Sequence, residues 1–337
     1  MAATAERVEL DLAGHTLSIS NADKIFFKKH GQTKLDLIEF YRAVEEPILS
    51  AMGGRPTLLQ RFPDGASGKN FFQKRVPKGA PDWLETTIVS TVNGTESNAM
   101  VVADIAHIAW AVQIGVLGFH PWPYLAAQPD VADELRIDLD PHGGVGFDAV
   151  REGAHLVQAL LTELGLQAWI KTSASKGLHI FMRLLPQWDS YEVRAAAVAL
   201  ARELERRHPN HLTWAWWKEE RGARVFVDYN QNCPHKTVFG AWSVRARVGA
   251  QVSTPFAWAE LATITPDELT METVPARVAE NGDPWADMYD SPQDITPLLE
   301  MSAADMLAGL MDAPWPPVYP KQPNEPPRVS PSRARKD

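Results

Sequence analysis

From Leu135 onward, segments with the periodicity of a β-strand alternate with segments that have the periodicity of an amphipathic helix. This alternation constrains the fold more than any other feature of the chain, because strands separated by helices are typical of α/β structure. The predicted strands are LRIDLDP, AWIKTS, LHIFMRL and ARVFVDY, and the predicted helices are FDAVREGAHLVQALLTELG, ending at Gly165, and a segment capped by Ser190 that runs to about His208.

The first half of the chain has shorter elements. VELDLAGHTLSIS predicts a pair of short strands, and Thr33 with an acid three residues later predicts the capped start of a helix. Short apolar runs from Pro56 to Val102 predict further strands, and residues 104–117 have helical spacing. We therefore expect an α/β (α+β) fold with two lobes of mixed sheets flanked by helices.

The domain organisation follows from a change in composition near the C-terminus. Residues 1–312 are predicted to form one catalytic unit, with an N-terminal lobe over about 1–130 and a catalytic lobe over about 131–312. Residues 313–337 are rich in proline, and a segment of this composition is not expected to form a hydrophobic core, so we expect a flexible tail. An inert terminus is favoured over a partner-binding segment.

Composition excludes several classes of protein. No apolar run reaches the roughly 20 residues that a membrane span needs, and the N-terminus does not have the pattern of a signal peptide. We therefore expect a cytoplasmic protein with no membrane partner. The single cysteine, Cys233, excludes an intrachain disulfide or a multi-cysteine zinc site. The net charge is −9, but the stretch from Arg55 to Lys78 is basic apart from Asp64. Such a stretch suits phosphate binding at one surface, and a solvated charge cluster is the alternative.

Two acids in one predicted strand are the strongest chemical signal. Asp138 and Asp140 are two residues apart, so their carboxylates share one face while Ile137 and Leu139 share the other. Two carboxylates this close repel unless a cation lies between them, which favours Mg²⁺ or Mn²⁺. Asp228 ends another apolar strand and could supply a third ligand. Three carboxylates can hold the two ions used for in-line phosphoryl displacement. By itself the Asp-x-Asp pattern is at least as common in surface acid pairs.

A loop between two predicted strands has the residues of a phosphate-binding site. The segment from Thr172 to His179 contains small residues, hydroxyls and Lys176, which together can present backbone amides and a positive charge to an anion. Taken alone, a Ser/Gly turn of this kind is more often only a turn. Further cations that could face a triphosphate, or could be ordinary surface charge, are Arg221, Lys236, Arg245 and Arg247.

The strings IDLDP, TSASKGLHIF and VFVDYNQN, in this order, resemble the three catalytic motifs of the archaeo-eukaryotic primase superfamily. The chain resembles the polymerase domains of bacterial ATP-dependent DNA ligase D and their stand-alone actinobacterial homologues. The similarity extends from SNADKIFF to WSVRARVGAQVSTPFAWAEL, roughly residues 15–285. Ala174 departs from the family pattern, because glycine is more usual between the two serines.

The resemblance implies roles for residues around the acids. Asp138, Asp140 and Asp228 match the catalytic and metal-binding aspartates, which would hold two Mn²⁺ or Mg²⁺ ions. The residues that match nucleotide contacts of the family are His120, Ser173, Ser175, Lys176, His179, Arg221, Gln231, Lys236 and Arg245. Without the resemblance, His120 would be interpreted as a loop or core histidine.

The resemblance also implies contacts with DNA. Asn21, Lys24 and Lys34 match a pocket for the 5′-phosphate on the downstream side of a gap. Phe71 and Phe72 match an aromatic pair that stacks on the template, although one of two adjacent strand residues could instead lie in the core. Two cations expected along the DNA backbone are Arg61 and Lys74.

The function implied is a template-dependent nucleotidyltransferase that fills short gaps or ends in DNA, prefers ribonucleotides and acts in DNA repair. Excision repair and end joining stay open as its pathway, and the nucleoid is its expected location. Because no ligase segment follows in the sequence, we expect a separate DNA ligase or end-binding repair protein as a partner. The alternatives are a two-metal nuclease, a non-catalytic DNA-end-binding factor and, less favoured, a primase that starts primers de novo.

Overall fold

The computed structural model describes residues 7–247 and 249–333. Its strands are β1 (Arg7–Leu12), β2 (His15–Ser20), β3 (Ile25–Phe27), β4 (Gln32–Thr33), β5 (Pro56–Arg61), β6 (Phe71–Gln73), β7 (Thr86–Val89), β8 (Ser97–Val101), β9 (Val116–Pro121), β10 (Glu134–Pro141), β11 (Trp169–Thr172), β12 (Leu178–Arg183), β13 (Leu212–Thr213), β14 (Val225–Asp228) and β15 (Pro255–Phe256). Its α-helices are α1 (Lys34–Ala43), α2 (Glu45–Met52), α3 (Ile105–Gln113), α4 (Phe147–Glu163), α5 (Ser190–Arg207), α6 (Lys218–Arg221), α7 (Val274–Asn281) and α8 (Thr296–Leu307).

Two larger sheets organise these elements. The catalytic sheet has six strands in the order β13-β14-β10-β12-β11-β15, and its pairs are antiparallel except β13 with β14. The N-terminal sheet has five strands. One edge of β5 pairs with β9, and the other pairs with β8 through residues 56–57 and with β6 through residues 59–61. Helices flank the sheets, so the structure is the mixed α/β fold that the sequence predicted.

Local signals explain where several helices begin. Thr33 caps α1, and its side chain exchanges hydrogen bonds with Asp36 in the predicted capping box. At α5 the prediction is off by one residue. Asp189, not Ser190, is the N-cap, because its carboxylate accepts from the amides of Tyr191 and Glu192.

The helix predicted over 104–117 is shorter, because α3 ends at Gln113 and residues 116–121 form β9 instead. The break is at Gly115, whose φ of +90° is not helical. This strand places His120 in the N-terminal sheet opposite Leu58 of β5. The loop part of the alternative interpretation of His120, as a loop or core histidine, is therefore wrong.

The predicted flexible tail also differs from the structure over its first part. Ala313, Trp315, Tyr319 and Glu325 are buried, and Trp315 and Tyr319 pack together on Cys233. Proline lacks an amide donor and so disfavours helix and sheet, but it does not prevent an extended segment from burying aromatic side chains.

One hydrophobic cluster connects the two larger sheets. It runs from Leu12 in β1 through α1, α3 and the catalytic sheet to Ala313. The two lobes predicted from the sequence therefore share a continuous core. Among the residues that the structure describes, none of the helices is long and apolar enough to span a bilayer.

Candidate active site

The three aspartates meet at the centre of the catalytic sheet. Asp138 of β10 lies directly opposite Asp228 of β14, and Asp140 follows two residues along the same face. Ile137 and Leu139 are buried on the other face, as alternation along a strand requires. The register thus brings together the three carboxylates that the sequence singled out.

Burial makes the ionised form of all three carboxylates less favourable. Burial, followed by the charges of Asp140 and Asp228, raises the pKa of Asp138 well above its ordinary value. One carboxylate oxygen of Asp138, Oδ1, is buried and accepts no hydrogen bond. Burial also raises the pKa of Asp140 and of Asp228. Such a set has the hard oxygen ligands that Mg²⁺ and Mn²⁺ prefer.

A glutamine side chain lies between two of these acids. The Gln231 amide nitrogen donates to Asp228 Oδ2 at 2.8 Å and to Asp138 Oδ2 at 3.4 Å. Within residues 7–247 and 249–333, no group of three or more His, Cys, Asp and Glu side chains already has an arrangement that could hold a metal ion. The amide N–H is thus a donor that these two carboxylates share.

A buried lysine that the sequence reasoning missed supports this face. Lys171 on β11 is fully buried, and its Nζ lies 2.9 Å from His179 Nδ1 while donating to the Phe239 carbonyl and the Ser253 hydroxyl. Burial, followed by the charges of Lys171 and Arg245, keeps the pKa of His179 well below its usual value, so this imidazole is neutral. The Nδ1 of His179 lies against Lys171 Nζ, and its Nε2 lies 3.4 Å from Asp138 Oδ1. The sequence does contain a signal for Lys171, because it is a charged residue in the middle of the otherwise apolar strand WIKT.

The loop between β11 and β12 is compact. The Ser173 hydroxyl accepts a 3.1 Å hydrogen bond from the Gly177 amide, so this serine closes the loop from inside. A Cβ on Gly177 would lie 2.5 Å from the Leu139 carbonyl oxygen, which leaves room only for glycine beside β10. Ala174 has a φ of +54°, a conformation that glycine adopts with less strain and that agrees with the usual residue of the family.

Ser175 and Lys176, at the tip of this loop, line a cavity of about 570 Å³ that begins beside Pro141, the residue after Asp140. Arg151 and Arg247 line the same cavity. The two loop residues therefore face a space next to the acids whose lining contains three cations and one acid, Asp267, whereas Ser173 and His179 are buried.

Two arginines approach the acids from either side. Arg221 stacks on Phe226, with its guanidinium carbon 3.5 Å from the ring centroid, and its charge faces Asp228 and Asp140. Arg245 donates to the Ser173 carbonyl at 2.9 Å and faces Asp138 and Asp140. Lys236 adds a third positive charge near Asp228. The predicted nucleotide-contacting cations thus surround the aspartates.

His120 connects the two sheets. Its ring makes edge contacts with Phe72 of β6 and with Phe239, at centroid distances of 5.3 Å and 5.2 Å. Burial, followed by the charges of Arg245 and Lys171, lowers the pKa of His120 to about 3, so it is a neutral donor or acceptor. The side chain therefore lies between the aspartate face and the surface with the exposed aromatics.

Both adjacent phenylalanines are on the surface. Phe71 and Phe72 on β6 are 47% and 54% exposed, so the alternative that one ring lies in the core is wrong. Arg61 lies 5.2 Å from the centroid of Phe71 and is held by a bond to the Ile114 carbonyl. Lys74, the other cation predicted to follow DNA, is half-buried one residue after β6 and faces His235.

The residues predicted to bind a 5′-phosphate also lie together. The Lys24 amide bonds to the Asn21 carbonyl at 3.1 Å, and the Lys34 amide to the Lys24 carbonyl at 2.9 Å. Burial and the charge of Lys24 lower the pKa of Lys34, whose Nζ bonds the Ser20 carbonyl and Gln113 Oε1. Lys34 is thus largely occupied by protein acceptors. Lys24 donates to the Pro63 carbonyl and lies 3.9 Å from Asp64, but it is the more accessible cation.

With this geometry established, comparison with known proteins identifies the family. Residues 33–285 match the family model described as LigD, primase-polymerase domain. The multifunctional non-homologous end joining protein LigD of Mycobacterium bovis is 33% identical over 275 residues, which cover 79% of this chain and 36% of that protein. The bifunctional non-homologous end joining protein LigD of Bacillus subtilis is 29% identical, with 82% and 45% covered.

Among solved structures, the polymerase domain of Mycobacterium tuberculosis ligase D in complex with DNA matches with a TM-score of 0.77 and 31% identity. The match covers 82% of this chain and 99% of that domain. The chain thus spans between a third and a half of the curated relatives but nearly all of the solved polymerase domain. The chain therefore belongs to the LigD primase-polymerase domain family, a family of nucleotidyltransferases.

Proposed function

We propose that this protein extends a DNA 3′ end across a short gap or at a break by transferring nucleotides from nucleoside triphosphates. The observation that carries the proposal is the aspartate face, with Asp138 opposite Asp228 and with Arg221 and Arg245 on either side. Carboxylates suit divalent cations and the arginines suit phosphate oxygens, which is the combination that phosphoryl transfer from a triphosphate needs.

In the proposed reaction the 3′-hydroxyl attacks the α-phosphate and pyrophosphate leaves. Asp138, Asp140 and Asp228 would hold two Mg²⁺ or Mn²⁺ ions, which when bound favour deprotonation of the hydroxyl and neutralise the leaving pyrophosphate. Arg221, with the set Ser175, Lys176, Lys236 and Arg245, would bind the triphosphate oxygens. His179, held neutral mainly by burial, would orient Asp138.

The DNA substrate would lie along the N-terminal sheet. Phe71 and Phe72 present two exposed rings on which unpaired template bases can stack. Lys24 with Asn21 and Lys34 forms a small cationic turn suited to a 5′-phosphate on the downstream side of a gap. Further parts of the proposal rest on family resemblance: ribonucleotide preference, manganese as the favoured ion, a role in end joining or excision repair near the nucleoid, and a separate ligase or end-binding partner.

The decisive experiment is extension of a primer in a gapped duplex by the full chain. Each of four substrate sets combines ribo- or deoxynucleotides with Mg²⁺ or Mn²⁺, and each is run with and without the downstream 5′-phosphate. We expect incorporation with ribonucleotides and Mn²⁺ to be fastest, and the 5′-phosphate to lower the KM for DNA. Incorporation in no condition would reject the polymerase proposal.

The same assay separates the alternatives. Loss of nucleotides from the labelled strand instead of their addition would indicate a two-metal nuclease, which has no need of the cations that surround these acids. Binding of gapped DNA without incorporation or cleavage would indicate an end-binding factor. If the 5′-phosphate made no difference to KM, the Asn21, Lys24 and Lys34 pocket would be wrong while the polymerase could still be right.

A further inference from the structure

The C-terminal segment, residues 312–328, packs against the turn that follows Asp228, residues 229–236. The Pro314 carbonyl accepts a 3.0 Å hydrogen bond from the Asn230 side chain. The Tyr319 hydroxyl donates a 2.6 Å bond to the Pro234 carbonyl. Between these points Trp315 and Tyr319 cover Cys233, the only cysteine of the chain, so that its thiol is fully buried. We call residues 229–236 the Gln231 turn.

One buried arginine joins the segment to the turn. Arg194 of α5 donates through Nε to Asn230 Oδ1 at 2.9 Å and through a terminal nitrogen to the Ala313 carbonyl at 3.0 Å. Its guanidinium also stacks on Trp315, 3.9 Å from a ring centroid, and pairs with Asp312 at 3.0 Å. A buried guanidinium is stable only when its donors are satisfied, so displacement of the segment would leave Arg194 without several partners.

Hydrogen bonds to Glu325 hold the C-terminal segment together from within. Glu325 is buried and accepts from the amides of Trp315 and Gln322 and from the Arg328 guanidinium. Burial opposes ionisation of this carboxyl, but the bonds from Arg328 and the two amides outweigh it and lower the pKa of Glu325 to about 2. Residues 312–328 are therefore held together by their own hydrogen bonds, and an ordered segment of this kind can hold the Gln231 turn in one position.

The opposite side of the Gln231 turn is attached to the catalytic sheet. The Asn232 side chain accepts from the Arg136 amide at 2.8 Å and donates to the Arg136 carbonyl at 2.7 Å. The turn is thus held between β10 and the C-terminal segment. Gln231 projects from it onto Asp138 and Asp228, and Lys236 ends it near Asp228.

We infer that the C-terminal segment is a positioning element of the nucleotide site, which acts through the Gln231 turn to hold Gln231 and Lys236 against the incoming triphosphate and the aspartates. The segment lies outside residues 33–285, which the family model matches, so the inference concerns a part of this chain that the family assignment does not cover. It rests on the proposed function, because it assigns the turn to nucleotide binding.

The first test compares three variants of the full chain. Trp315→Ala removes the ring between Arg194 and Cys233, Trp315→Phe keeps an aromatic face there, and Val318→Ala changes an exposed side chain of the same segment (72% exposed). We expect Trp315→Ala to raise the KM for nucleotide about tenfold, equal to about 1.4 kcal/mol, with the Kd for gapped DNA unchanged. Trp315→Phe should recover most of the effect, and Val318→Ala should have none.

A second measurement does not depend on activity. Cys233 is buried beneath Trp315 and Tyr319, and burial raises the pKa of its thiol to about 12, so a thiol reagent should label the unmodified protein slowly. Trp315→Ala should label much faster. Nucleotide with Mn²⁺ should slow that labelling, because a bound triphosphate would hold the Gln231 turn in place. Tyr319→Phe, which removes a single hydrogen bond, provides a milder variant if Trp315→Ala does not fold.

The outcomes separate this inference from the proposed function. Fast labelling of a folded Trp315→Ala protein with an unchanged nucleotide KM would overturn the inference and leave the polymerase standing. Equal losses in nucleotide KM, DNA affinity and melting temperature would also overturn it, because they would indicate general destabilisation. If the unmodified chain incorporates no nucleotide, the proposed function fails, and the inference is then decided by whether nucleotide protects Cys233.

Discussion

The catalytic sheet and the N-terminal sheet carry their polar and aromatic groups in opposite ways. Around β10 and β12, Lys171 and His179 are buried and bonded to one another, and Asp138 is only slightly exposed. On β6 the functional candidates are two rings with about half their surface in solvent. The side chains of the catalytic sheet are already held in place without substrate, whereas the two rings on β6 would gain contacts when a substrate binds.

The difference agrees with what each region would have to do. Electrostatic stabilisation of a transferring phosphoryl group depends on charges and dipoles fixed in advance, because their reorganisation would add to the barrier. Stacking of template bases depends on accessible apolar area, and every base offers a similar face. We therefore expect substitutions in the catalytic sheet to change the chemical step and substitutions on β6 to change DNA affinity.

The largest effect should come from Asp138→Asn, which keeps the shape of the side chain but removes a charged metal ligand. Incorporation should fall at least about a thousand-fold, or about 4 kcal/mol in the barrier, with gapped DNA still bound. Single-turnover extension and DNA binding measure the two quantities. Asp130→Asn, at an exposed acid away from the sheet, is the control. Full activity of Asp138→Asn would show that the catalytic sheet does not carry the chemical step, and the contrast between the two sheets would fail.

Lys171→Met should have the next largest effect. The methionine fills similar space but removes the polar contact to His179 Nδ1, so the imidazole beside Asp138 is no longer held in one orientation. Loss of such an outer partner typically lowers metal affinity or activity by about 10- to 100-fold. The rate constant and the Mn²⁺ concentration for half-maximal activity should both be measured. A normal rate in a protein that melts at a lower temperature would assign Lys171 to stability alone.

Phe72→Ala should weaken gapped-DNA binding by about tenfold, within the range of base stacking on an aromatic ring. The rate at saturating DNA should change much less, although Phe72 also touches His120. Ile88→Ala is a matched control, since Ile88 is an exposed apolar side chain on β7 of the same sheet. A loss of rate at saturating DNA with unchanged affinity would show that β6 belongs functionally with the catalytic sheet.

The smallest effect concerns stability without metal. The pKa of Asp138 is raised in the folded protein, mainly by burial, so the ionised carboxylate costs folding free energy once the pH exceeds the ordinary value of the group. In the presence of a chelator, Asp138→Asn should therefore be more stable than the unmodified protein by about 1 kcal/mol at pH 8. The advantage should disappear as the pH falls below about 4, where both chains are neutral at this position. Urea unfolding at the two pH values tests this.

Much of the catalytic face could be predicted from local sequence. Alternation along LRIDLDP placed Asp138 and Asp140 on one side of a strand, and the capping box at Thr33 fixed the start of α1. Both predictions depend on residues two or three apart, which the chain brings together whatever the rest of the fold does.

The missed features depend on distant residues or on a broken pattern. Strand β9 follows α3 after only two residues and contains a glycine, so apolar spacing alone merged part of it with the helix. Local sequence made Asp228 only a candidate third ligand, because its placement opposite Asp138 depends on the register between strands far apart in sequence. The prediction of a flexible C-terminal tail relied on its prolines, although Trp315 and Tyr319 are large apolar side chains that the structure buries.

The unbroken hydrophobic cluster has a mechanical consequence. It joins β1, α1 and α3 to the catalytic sheet, and the buried Arg55, just before β5, pairs with Asp133 and Glu134, so among the described residues the two sheets pack as one body. The distance between the exposed phenylalanines and the aspartates is then set by the fold. Gaps of different size would have to be accommodated by bending or looping of the template strand, so the protein should prefer one gap length.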